Sequence, residues 1–98
     1  MEYNTLIKFS ACFDFMGIDF KYVEDFALMT GSIAKDAMLN ESVDFKLTES
    51  RTITLTFNTN GQRIVFMCMC QAMLERVEHT TLLPIVRNAK LGTIPATV

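Results

Sequence analysis

The longest alternation of apolar and polar positions lies at 5–15. Ile7, Phe9, Ala11, Phe13 and Phe15 fall on one side, and Lys8, Ser10, Cys12 and Asp14 on the other. A period of two rich in aromatic residues predicts a half-buried strand. Gly17 breaks the pattern, and Asp19 is placed to cap a helix over 20–39. Within it Phe20, Val23, Ala27, Thr30, Ala34 and Met38 recur every three or four positions. Phe26, Met29, Ile33 and Ala37 widen the stripe to that of a helix lying across a sheet, with Gly31 and Ser32 as a kink or break and Asn40 as a stop. Alternation returns at 43–48 with Val43, Phe45 and Leu47 inward, and Glu49, Ser50 and Arg51 then turn the chain into a strand at 53–57.

The sequence that follows carries a strong turn signal. Asn60-Gly61 favours a tight hairpin turn, because both central residues of that turn need positive φ. Counting outward from it pairs Phe57 with Ile64, Leu55 with Phe66 and Ile53 with Cys68 on one face. The other face pairs Thr56 with Val65 and Thr54 with Met67, and continues to Met69. The predicted fourth strand, 64–69, is thus apolar on both faces. Beyond it, 71–79 is composed of good helix formers, with Met73, Leu74 and Val77 as the buried side. Pro84 either interrupts the chain or opens a short turn up to Lys90, and 92–98 reads as a C-terminal tail laid against the body through Ile94. The order β-α-β-β-β-α predicts one α+β domain over 1–98: an antiparallel sheet of about four strands with helices packed on one face.

Composition agrees with a globular chain: of 98 residues 50% are apolar and 20% charged. Eight Phe and seven Met stand out against the absence of Trp; Met fills irregular core space and recurs on adaptable binding surfaces. The net charge is −2, and the basic residues are scattered singly, so direct binding to duplex DNA is disfavoured. The three cysteines, Cys12, Cys68 and Cys70, are odd in number and lack the Cys-x-x-Cys spacing. With no signal peptide read at the N-terminus, they point to reduced thiols in a cytoplasm. No apolar run approaches the roughly 20 residues of a membrane span.

Few residues of the chain suggest chemistry. The lone histidine, His79, closes a predicted helix, where the dipole favours it as a cap. No nucleophile elbow accompanies it. Pairing Cys70 with His79 gives a conceivable cysteine hydrolase, and convergence of Cys68, Cys70 and His79 a conceivable metal site, but the spacing matches neither pattern. The four glycines are isolated and make no phosphate cradle, and Asp14, Asp19, Glu24 and Asp25 are too sparse for a calcium loop. The chain is read as non-enzymatic, with neither cofactor nor metal.

What remains is a surface. Thr54, Thr56, Val65, Met67 and Met69 form the face that the hairpin leaves without a partner, and apolar faces of this kind mark interfaces when the chain itself does not cover them. The order and spacing of Ile7-Lys-Phe-Ser10, the hairpin glycine Gly61, Met73-Leu-Glu-Arg-Val77 and Pro95-Ala-Thr-Val98 resemble a small family of podophage proteins that inhibit the bacterial nucleoid protein H-NS. That resemblance implies a phage-encoded protein in the host cytoplasm that binds H-NS and blocks its self-association, relieving the silencing of foreign DNA. No binding residue carries over from the family. Three other readings stay open: a homodimeric structural module joined through Val65, Met67 and Met69; an inhibitor of another host protein, such as an anti-CRISPR or anti-restriction factor; and an enzyme through Cys70 and His79.

Overall fold

The first alternating segment is a strand, β1 (Thr5–Asp14), and the chain continues through α1 (Phe20–Asp36), β2 (Val43–Leu47), β3 (Thr52–Phe57), α2 (Asn60–Arg76), α3 (Leu82–Arg87) and β4 (Lys90–Thr97). These elements come from a computed structural model that describes residues 5–37 and 43–97. The expected helix end at Met38, Leu39 and Asn40, and the final residue of the expected tail, lie outside the described residues.

The four strands form one antiparallel sheet in the order β2-β3-β1-β4, and the helices pack on one face, as expected of an α+β fold. Phe9, Ala11 and Phe13 of β1 pair with Phe57, Leu55 and Ile53 of β3. Most of these side chains are fully buried, as alternation demands. Asp19 caps α1 by accepting from Lys21 N at 3.1 Å, and the helix runs unbroken through Gly31 and Ser32. Its Val23, Phe26, Ile33 and Ala34 are buried, and the Phe26 ring lies 4.8 Å from that of Phe13 and 5.2 Å from that of Phe15. Thr30, the buried polar residue of that stripe, satisfies its hydroxyl by donating to Phe26 O at 2.8 Å.

The predicted hairpin at Asn60-Gly61 is not formed. The same residues start α2, with Thr59 as N-cap: its Oγ1 accepts from Gln62 N, and Gln62 Oε1 accepts from Thr59 N, both at 3.1 Å. This is a capping box, Thr-x-x-Gln, and it satisfies donors that a helix start otherwise orphans. The segment read as a strand is thus helical, and the expected element order gives way to β-α-β-β-α-α-β. Phe66, Cys70 and Leu74 recur every four residues along the buried side of α2, with Phe66 against Phe57 at 5.4 Å between rings.

The fourth strand is instead the segment expected as a tail. β4 pairs with β1 from Thr5↔Thr97 to Cys12↔Lys90. Arg63 secures this pairing: its Nη1 donates to Ser10 O at 2.9 Å and Gly92 O at 2.7 Å, while Nη2 donates to Asn60 Oδ1 at 3.1 Å. The guanidinium also stacks over the Phe9 ring at 5.4 Å.

Candidate binding face

Alternation along the strands sends one set of side chains to the helices and the other to the opposite face of the sheet. By register the opposite face carries Lys8, Ser10, Cys12 and Asp14 of β1, and Thr52, Thr54 and Thr56 of β3. Asp44 and Lys46 of β2 join them from one side, and Lys90, Gly92 and Ile94 of β4 from the other. The three described helices bury their apolar sides in the core on the other face, so among the described residues nothing covers this face, and its residues are half-buried or exposed. Toward the Lys8 end it dips into a bowl of about 510 Å³, bordered by Lys8, Val43, Asp44, Lys46, Thr54, Thr56, Asn58 and Ile94. Lys8 Nζ is held there by Asn58 Oδ1 at 2.5 Å. Thr54 Oγ1 donates to Cys12 Sγ at 3.7 Å on the floor beside it. Ile94 is 40% exposed and adds an apolar rim. Lysines outnumber carboxylates on this face, although the chain as a whole carries net charge −2.

The five residues expected to share one surface are divided by the structure. Thr54 and Thr56 lie on the open face. Val65, Met67 and Met69 lie on α2, on the far side of the sheet, because their segment is a helix and not the partner of β3. Val65 is exposed, while Met67 and Met69 are half-buried and pack against the core. The apolar face that lacked a partner is therefore largely covered by the chain itself. Sequence reasoning missed Lys8, Asp44, Lys46, Asn58 and Ile94 as members of the bowl. For those in strands the signal was the alternation of β1, β2 and β4, which becomes a surface only once β2-β3-β1-β4 is known as the strand order, whereas Asn58, after β3, carried none.

The groups considered for catalysis are committed elsewhere. Cys70 is fully buried, and desolvation pushes its thiol up from 9.0 to about 12, far from a reactive thiolate. His79 Nδ1 accepts from Leu82 N at 3.1 Å, capping α3, and its ring meets Tyr22 edge-on at 5.8 Å. The expected cap at the end of the preceding helix is thus replaced by one at the start of the helix that follows. Among the described residues, no helix is long and apolar enough to cross a membrane.

Fold and face together describe a small α+β protein with an open-faced antiparallel sheet. Compared with family models, curated proteins and solved structures, the chain matches none.

Proposed function

We propose that this protein is a small non-catalytic module that acts by binding another protein through the open face of its sheet. The observation that carries the reading is the bowl between Lys8, Asp44, Lys46, Thr54, Thr56 and Ile94: hydroxyls, two lysines beside one carboxylate, and an apolar rim, on a sheet face that no helix among the described residues covers. Such a surface suits a partner offering carboxylates around a small apolar knob, because the lysines supply steering and Ile94 supplies burial. The commitment of His79 to a cap and of Cys70 to the core supports binding over catalysis.

The sequence resemblance makes H-NS the first partner to test, with the protein acting in a host cytoplasm to block H-NS self-association. Purified H-NS is sedimented alone, with this protein, and with a Thr54→Glu/Thr56→Glu variant, which sets two carboxylates beside Lys8 and Lys46. The reading expects smaller H-NS assemblies with the wild-type protein, and an effect reduced at least about tenfold in potency with the folded variant. H-NS assemblies indifferent to the wild-type protein would remove H-NS as the partner; equal potency of the variant would remove the open face as the site.

A further inference from the structure

The hydrogen-bonding phase of the sheet decides which backbone groups of β2 face outward. Thr48 N donates to Thr52 O at 3.0 Å, so these residues form a hydrogen-bonded pair. Antiparallel ladders alternate such pairs with non-bonded ones. Lys46↔Thr54 and Asp44↔Thr56 are therefore bonded pairs, whereas Val43↔Phe57, Phe45↔Leu55 and Leu47↔Ile53 are not. Phe15 N donating to Arg51 O at 2.9 Å fixes the same phase independently, by turning the backbone of Ile53, Leu55 and Phe57 toward β1. The N–H and C=O groups of Val43, Phe45 and Leu47 thus point out of the sheet, at an edge where no strand among the described residues pairs with them. Their side chains lie on the helix side and stay incompletely covered, Phe45 at 38% and Leu47 at 42% exposed. Beside them an apolar groove of about 350 Å³ runs between β2 and Ala27, Gly31 and Ala34 of α1.

We propose that β2 is the seam of a symmetric dimer, pairing antiparallel with β2 of a second copy about a two-fold axis at Phe45. The strand Val43-Asp-Phe-Lys-Leu47 is its own complement in this arrangement. Phe45 meets the partner's Phe45, and Val43 meets the partner's Leu47, on the helix side, where they close the groove. Asp44 meets the partner's Lys46 on the open side, twice by symmetry. The outward backbone groups are those of Val43, Phe45 and Leu47, the residues that must exchange ladder bonds in this register. An odd slip would lose that phase and turn the apolar side chains to the wrong face. The nearest even slips keep the ladder but set Asp44 against Asp44, or Lys46 against Lys46, and like charges directly opposite are destabilising. Charge and phase therefore select one register and one occupant, a second copy of this chain.

The seam is the backbone edge of β2, but Asp44 and Lys46 also line the bowl, so the dimer is judged by oligomeric state alone and not through binding of the partner. If both hold, one continuous sheet carries two bowls on the same surface, which suits avidity toward a partner that is itself an oligomer. The test is sedimentation equilibrium of the full chain and of D44K, K46D and D44K/K46D, each checked for unchanged circular dichroism. Asp44 and Lys46 are both exposed, so the substitutions leave the core intact. Wild type is expected to be dimeric, each single reversal to weaken the dimer about tenfold or more, and the double reversal to restore it. A monomeric wild type, single reversals without effect, or a double reversal that fails to restore the dimer would each overturn the proposal.

Discussion

At the scale of single residues, two positions make the physics measurable. Glu78 holds φ at 53°, where α2 ends in a Schellman motif: Glu78 N donates to Glu75 O at 3.1 Å and His79 N to Leu74 O at 2.9 Å. A residue with a Cβ is strained there, and glycine is not. Glu78→Gly is therefore expected to raise unfolding free energy by about 0.5–1 kcal/mol, net of the entropy glycine adds to the unfolded chain. Urea denaturation at matched slopes measures it; an unchanged or lowered midpoint would refute the strain. Cys70 gives a pH dependence. Its thiol ionises near 9.0 when unfolded but only at about 12 when folded, so between these values the unfolded chain binds fewer protons. Its contribution is fully present below 9.0 and declines as pH rises, by up to about 1.4 kcal/mol per pH unit. The stability advantage of wild type over Cys70→Ala should shrink between about pH 8 and about pH 10.5, and a constant difference would contradict the burial argument. Under native alkylation the exposed Cys68 should react and Cys70 should not.

At the scale of elements, local chemistry decides where reading the sequence succeeds. β1, α1, β2 and β3 were legible because each carries its own period and its own caps: Asp19 before α1, and Glu49 to Arg51 between the strands. The segment after β3 was not. Asn60-Gly61 is a hairpin signal, but Thr59 and Gln62 around it make a capping box, and the box prevails because it satisfies two backbone donors at once. The supposed strand was apolar on both faces, which is what a helix with Phe66, Cys70 and Leu74 on its buried side looks like when read in twos. β4 was illegible for a different reason: its pairing with β1 joins the two ends of the chain, and Arg63 anchors it from a third element. Thr59→Ala is expected to cost about 1 kcal/mol through loss of the cap. Arg63→Met removes charge-assisted bonds to Ser10 O and Gly92 O and should cost about 2 kcal/mol. In hydrogen exchange its deprotection should be greatest in β4; uniform deprotection of the whole sheet would contradict the anchoring role.

At the scale of the whole molecule, the three helices bury one side of a four-stranded sheet and leave the other to the surroundings. The α+β class and its antiparallel four-stranded sheet were legible from alternation and helical stripes, but the identity of the fourth strand was not. The candidate site was only half legible: Thr54 and Thr56 were named, but their neighbours come from β1, β2, β4 and the residue after β3, brought together by a strand order that no local period encodes. Val65, Met67 and Met69 belong to the helical layer, so Met67→Glu is expected to lower thermal stability and not to act as a clean dissociation mutant, a difference that melting curves beside sedimentation resolve. The proposed dimer through the β2 edge and the proposed binding face meet at Asp44 and Lys46, and sedimentation of the protein alone separates the first from the second. The central claim is that the open side binds. Backbone amide shifts of the isotopically labelled protein, titrated with purified H-NS, test it most directly. The account predicts saturable shifts clustered at Lys8, Lys46, Thr54, Thr56, Asn58 and Ile94. Saturable shifts confined to α2 would contradict it, and no shifts at all would remove H-NS as the partner.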